Sequence, residues 1–283
     1  MARKRANLTD LLNDLTFRTL YDKYMLISVN AFQWDGLPDG IEERHIETQL
    51  FKHGKAAFFK APGMGFMCLE CNSSGEVNVY GEPLSYIVHG MNYHQKLAVE
   101  DMVLIENNKL RLATDPFIMF YVNKLTEAER TMDVNIKACK TPVVFACDDK
   151  DVLTFKRIFQ QVDGNVPAIF ADRGLNLDSI QAFKTGVQFM GNELQDYANS
   201  VENKLLTFLG VNNTPVDKKE RLITDEAQAN DQLIESFAEL QLEARQRAAQ
   251  TINDRFGLNV TVKRRENPVE KPVEGGDKNG PVQ

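Results

Sequence analysis

No stretch of this 283-residue chain approaches the run of about 18 apolar residues that a membrane span requires. Met1–Arg5 is basic, but Asp10, Asn13 and Asp14 interrupt the leucines that follow, so there is no apolar signal region. No membrane partner is expected, and the chain should stay in the cell that makes it. A phosphate-cradling loop is missing as well. Gly63 and Gly65, in Pro-Gly-Met-Gly-Phe, lack the further glycines and the Lys-Ser or Lys-Thr helix opening that such a loop needs, and they read as a turn.

Cysteine and histidine are scarce, with four of each. Cys68-Leu-Glu-Cys71 has zinc-type spacing, but Phe66–Cys71 reads as a strand, where residues three apart point to opposite faces. Cys139 and Cys147 form no close knuckle, so reduced structural thiols are expected. His45, His53, His89 and His94 make no pair at ligand spacing with a carboxylate on one face. Asp148, Asp149 and Asp151 are the densest carboxylate cluster and could hold magnesium. They also stand where a helix beginning near Asp151 needs a cap and favours negative charge. Lys184-Thr185-Gly186 matches a triad of penicillin-binding enzymes, without the Ser-x-x-Lys nucleophile. No nucleophile–base pair, metal site or nucleotide loop survives, so the expectation is a non-catalytic chain without a cofactor.

What is present is ordinary globular material: 43% hydrophobic and 26% charged residues, enough for a sizeable core. The net charge of −7 argues against a general DNA-binding surface. Arg3, Lys4 and Arg5 supply three positive charges, which leaves −10 on the rest. A basic tag thus rides on an acidic body.

Periodicity gives the organisation. Leu8–Trp34 reads as one helix of roughly 26 residues, about 39 Å long. Its apolar residues fall on two faces: Leu8, Leu11, Leu12 and Leu15, then Leu20, Tyr24, Ile27, Ala31 and Trp34. A helix apolar on two sides needs two partners. Ile41–His53 reads as a shorter helix. Strands are expected at Ala56–Phe59, Phe66–Cys71, Glu76–Tyr80, Ser85–Val88 and Met102–Ile105. Asp115-Pro116 opens a helix that Pro142 stops. Val143–Ala146, a helix over 152–162 and Val166–Ala171 read as a strand–helix–strand unit. Two long helical stripes follow, near Gly186–Leu209 and Gln228–Phe256, ended by Gly210 and Gly257. Between them lies a polar loop of roughly 17 residues, longer than a compact domain ordinarily leaves undecorated. It carries Lys218, Lys219 and Arg221. Beyond Lys263 the Pro, Gly, Glu and Lys content predicts a disordered tail.

Thr207–Asp225, TFLGVNNTPVDKKERLITD, is the segment that carries a resemblance, with GNVPAIFA and LDSIQAFKTG before it and FGLNVTVK after it. Together with the N-terminal MARKR, it is similar to the portal protein (head–tail connector, upper collar) of small short-tailed phages with protein-primed linear genomes. The similarity is strong over 140–263, weaker but collinear over 1–138, and absent beyond about Arg265.

The resemblance implies an α+β, mainly α portal fold: long stalk helices, a small α/β wing and an α/β clip. The expected segments are an arm at 1–7, stalk helices at 8–34, 115–139 and 187–209, a wing at 35–114 and a narrow-end clip at 140–186. A channel loop at 210–227, a wide-end helix and strand at 228–263 and the tail at 264–283 complete the chain. It implies a homo-oligomeric ring of twelve subunits at one capsid vertex of the virion, assembled in the bacterial host cytoplasm. Double-stranded genomic DNA would pass through it in packaging and ejection. Other implied partners are capsid and scaffold proteins, a packaging ATPase, in some members a packaging RNA, and a lower collar or tail protein. Nucleic-acid contacts would come from the arm residues Arg3, Lys4 and Arg5 and from the loop residues Lys218, Lys219 and Arg221, with Lys204 a weaker contribution from the channel helix. Two alternatives stand beside it: a different head–tail collar or adaptor protein, and a cytosolic metal-dependent hydrolase using Asp148, Asp149 and Asp151.

Overall fold

The computed structural model describes residues 8–140, 143–146, 181–184, 188–212 and 224–265. It divides into two compact units. One holds residues 1–20 and 121–202, and the other residues 21–120 and 203–283. The described elements are five α-helices and nine strands: α1 (Leu8–Val29), β1 (Phe32–Asp35), α2 (Glu43–His53), β2 (Lys55–Ala61), β3 (Gly65–Ser73), β4 (Ser85–Gly90), β5 (Tyr93–Ala98), β6 (Met102–Glu106), α3 (Asp115–Lys140), β7 (Val143–Ala146), β8 (Gln181–Lys184), α4 (Gly191–Phe208), α5 (Thr224–Phe256) and β9 (Thr261–Arg264). The architecture is mixed α/β and mainly helical.

The second unit is built on a five-stranded antiparallel sheet in the order β5-β4-β3-β2-β6. Its centre is the run Ala56-Ala57-Phe58-Phe59, almost wholly withdrawn from solvent. A strand apolar at every position is covered on both faces. Ala56 and Phe58 point into a core with α2 residues Ile46 and Leu50, α5 residues Ala248, Ala249 and Ile252, and Trp34 and Val262. Ala57, Phe59 and Ala61 point into a second cluster with Tyr86, Val88, Leu97 and Met102. Cys68 belongs to the first cluster and Cys71 to the second. The two thiols therefore lie on opposite faces, as strand periodicity requires, and cannot share a metal ion. Burial pushes the Cys68 thiol pKa far up, and the Cys71 thiol up to about 12.

α2 is held at both ends. Glu42 and His45 form a capping box, with the His45 ring accepting the Glu42 amide at 3.2 Å. Gly54 closes the helix at φ 72°, its amide bonded to the Leu50 carbonyl. A Cβ there would stand 2.1 Å from the Arg111 carbonyl oxygen, so only glycine fits.

Three sequence expectations need correction. α1 stops at Val29, and Phe32–Asp35 is a strand pairing antiparallel with β9, Trp34 opposite Val262. Ala31 and Trp34 fall at helical spacing from Ile27, but what fixes them is a partner at the far end of the chain. Glu76–Tyr80 is not a strand. It makes one bridge, Val77 to Pro83, and turns about the Asn78 side chain, which accepts the amides of Tyr80 and Glu82. β5 was not foreseen, because YHQKLA is exposed along most of its length and shows little alternation. The other forecast boundaries hold to within a few residues. β7 is the expected strand, but its partner is β8. Val166–Ala171 and the helix over 152–162 lie outside the described residues.

In the first unit the described parts are mainly helical. Arg130 donates to Asn13 at 2.8 Å and to Asp133 at 2.6 Å. Asn135 donates to the Gln188 carbonyl and accepts the Met190 amide. These bonds tie α1, α3 and the residues leading into α4.

Candidate functional site

Arg3, Lys4 and Arg5 lie outside the described residues, as do Lys218, Lys219 and Arg221. So do Asp148, Asp149 and Asp151, and the expected tail beyond Arg265. The forecast nucleic-acid contact that is described is Lys204, exposed on α4 between the buried Val201 and Leu205. A cation at this spacing faces away from the core, on the solvent side of the helix that leads to the loop.

The two ends of the loop are described. α4 ends in a tight exit: Gly210 adopts φ 70°, with its amide on the Thr207 carbonyl and the Val211 amide on the Leu206 carbonyl. A Cβ on Gly210 would meet Ala238 of α5 at 2.7 Å, so α4 and α5 touch backbone to backbone there. The Arg264 guanidinium of β9 donates to the Gly210 carbonyl. Phe208 stacks on Phe117 at 4.6 Å between centroids and meets Phe237 at 5.7 Å. The chain re-enters regular structure at Thr224, the first residue of α5. The loop thus springs from a root clamped by α3, α4, α5 and β9.

α5, which follows the loop, is pinned by a buried polar group that sequence reasoning missed. Arg245 donates from Nε and Nη2 to the Glu47 carboxylate at 2.8 and 2.7 Å, and from Nη2 to Asn107 Oδ1 at 3.0 Å. Trp34 Nε1 donates to Glu47 at 2.8 Å, and Asn107 donates to Thr114 at 3.0 Å. The guanidinium lies over the Phe32 ring, 4.1 Å from its centroid. Both charged side chains are almost fully buried, at 3% and 2% exposure. The signal was present: Glu47 sits beside Ile46 and Leu50, and Arg245 beside Ala244 and Ala248, each a charge inside an apolar stripe.

A second pinned point is Arg111, the non-glycine residue with positive φ, at 58°. It bridges Glu106 and Glu82, each at 2.6 Å. Burial pulls its pKa down, but the bonds to Glu106 and Glu82 outweigh it and raise it. Tyr21 donates to Asp115 at 2.6 Å, and burial together with that carboxylate raises the phenol pKa. The start of α3 is fixed by this contact.

Among the described residues no group of three or more His, Cys, Asp or Glu is placed to hold a metal ion. No described helix is long and apolar enough to cross a membrane. The geometry is that of a scaffold that fixes the root of a charged loop.

Residues 3–269 match the family model described as Phage Connector (GP10). Among solved structures, a chain in the portal and tail of native bacteriophage P68 overlays at a TM-score of 0.50 and 15% identity, covering 94% of this chain and 93% of the other. A chain in the virion of a native gene transfer agent particle gives 0.48 and 9%, over 89% of this chain and 79% of that one. An HK97 family phage portal protein from Corynebacterium diphtheriae gives 0.45 and 10%, over 94% and 96%.

Proposed function

This chain belongs to the phage connector family, and from that premise we propose how its parts serve a portal ring. It is a portal protein at the head–tail junction of a virion, structural and not enzymatic. The observation that carries this is the family match, which runs through both units and across the loop, from residue 3 to residue 269.

The finer reading goes further. The phage is of the small short-tailed kind with a protein-primed linear genome, as the MARKR start and the TFLGVNN…DKKERLITD segment suggest. The subunits form a closed twelve-membered ring of about 385 kDa, twelve times the 32.1 kDa chain. Stalk, wing and clip follow the divisions expected from the sequence. Arg3, Lys4 and Arg5 reach phosphates of a packaging RNA, or acidic groups on the motor, at the narrow end. Lys218, Lys219 and Arg221 line the channel, with Lys204 behind them on α4. A charge cluster repeated around a ring gives weak, salt-screened contacts without a preferred register, which lets DNA slide. The clamped root at Gly210 supports this, because a loop that must resist moving DNA needs a fixed base.

Negative-stain imaging of the purified chain is the direct test. Rings with a central hole are expected. A monodisperse monomer across micromolar concentrations, by light scattering, would end the ring reading. For the arm, deleting Ala2–Arg5 should leave rings intact but weaken motor or RNA docking and flatten its salt dependence.

A further inference from the structure

We propose that His89 and His94 form a binding site for a single transition-metal ion of the zinc type on the outer hairpin of the five-stranded sheet. The two residues stand directly opposite each other in the β4–β5 register, and Gly90 and Tyr93 close the hairpin next to them. Val88 and Leu97 point into the buried cluster, so both histidines project from the other face. Their Nδ1 atoms face each other at 3.2 Å, with ring centroids 4.8 Å apart.

That spacing suits an ion. Ligand nitrogens about 2.0–2.1 Å from a tetrahedral centre stand roughly 3.3 Å apart. The hairpin backbone holds the pair at nearly that distance, so little rearrangement is needed to bind. The local charge is also favourable to a cation. Glu70 is opposite His89 on the other neighbouring strand, and its carboxylate lies 3.5 Å from His53. With two protein ligands, the remaining positions are taken by water. Because β5 is the edge of the sheet, an ion held between β4 and β5 would staple that edge to its neighbour.

The experiment is calorimetric titration of Zn2+ into untagged full-length protein, alongside amide hydrogen exchange. The expected result is one ion per chain, with slower exchange across residues 85–98 when zinc is present. His89→Ala and His94→Ala should each abolish that uptake, and His53→Ala should keep it. Uptake should also vanish in acid, since only neutral imidazole binds the metal. His94 is exposed and His89 only half-buried, and neither belongs to a buried cluster, so the variants should fold; unchanged circular dichroism checks this. Absence of zinc uptake by the wild type would overturn the proposal. So would equal uptake by the His89→Ala, His94→Ala double variant, or loss on His53→Ala alone.

Discussion

The sheet-bearing unit buries apolar clusters on both faces of one sheet, whereas the described helices of the other unit also carry apolar side chains outside any buried cluster. In the first, sheet, α2 and α5 bury two clusters on opposite faces of the same strands. Its exposed apolar side chains include Val79, Tyr80 and Met91 on turns between strands, and Leu26, Phe120, Leu233 and Leu240 on helices. In the helical unit the exposed ones include Leu15 on α1, Val134 and Ile136 on α3, and Tyr197 on α4, with Phe189 and Met190 just before α4. Leu15 and Val134 are 61% and 62% exposed, values at which burial contributes nothing within the chain. The polar contacts differ in the same sense. Glu47–Arg245 is sealed and fully bonded, while Arg130 pairs with a half-exposed Asp133. Both units thus keep apolar side chains exposed, and the difference between them lies in the sealed clusters and the sealed ion pair of the sheet-bearing one.

The largest effect should come from breaking the sealed pair. Glu47→Ala leaves the Arg245 guanidinium buried without its carboxylate and should cost about 3–5 kcal/mol. Arg130→Ala in the helical unit should cost about 0–1 kcal/mol. Denaturant unfolding followed by the fluorescence of Trp34, the one tryptophan, measures both. Equal losses would break the comparison. Replacing Glu47 and Arg245 together by Leu and Met should recover much of the deficit, since no unpaired charge remains.

Next in size is Trp34→Phe. It keeps an aromatic ring in the core but removes the N–H donated to Glu47 at 2.8 Å. A bond to a charged group is worth about 1.5–3 kcal/mol, and the loss should appear in the same unfolding midpoint, followed by circular dichroism.

Leu15→Ser combined with Val134→Ser sharpens the contrast from the other side. Neither side chain is buried, so chain stability should stay within about 0.5 kcal/mol of wild type. Ring assembly should weaken, with sedimentation shifting towards smaller species. Unchanged rings would place the contact between copies elsewhere.

Thiol chemistry reads the two units separately. Cys139, half-exposed on α3, should react with a disulfide reagent in the native protein, and Cys68 and Cys71 only after unfolding. Below the ordinary thiol pKa of 9.0, Cys71 is neutral whether folded or not, and its burial contributes fully. As pH rises past that value the unfolded thiol ionises first, and stability falls until the folded one follows at about 12. Cys71→Ala should flatten that decline.

The smallest effect on the fold should come from Lys218→Ala with Lys219→Ala. Stability and rings should be unchanged and packaging should start normally, while filled heads lose DNA once the motor leaves. Nuclease-protected genome before and after motor removal is the readout. Equal retention would make the loop a connector only.

Local signals were legible where the cause is local. Asp115-Pro116 opens α3, Gly210 and Gly257 end α4 and α5 at positive φ, and the apolar run around Phe58 marks an inner strand of the sheet. That Cys68 and Cys71 lie on opposite faces followed from strand alternation alone. What escaped was set by distant partners. β1 is a strand because β9 lies beside it, with Arg265 reaching Asn30 235 residues earlier. The Glu47–Arg245 pair spans 198 residues, and neither helix's own pattern says which charge meets which. The loop's charges were readable, but not that α5 and Arg264 clamp its root.

The β1–β9 pairing has a consequence for how the chain is made. Synthesis delivers Thr261 of β9 226 residues (261 − 35) after Asp35 of β1, and a domain forms as its parts emerge. Until Thr261–Arg264 leaves the ribosome, Phe32–Asp35 has no strand to join, and the core around Trp34 lacks Val260 and Val262. Such long-range closure is slow, because the whole intervening chain must be ordered before the contact rewards it. The nascent subunit therefore carries β1 without its partner β9 until all the chain between them has been made. Chains cut short before Thr261 should keep β1 unpaired and aggregate, so a subunit able to join a ring is one whose translation has passed β9.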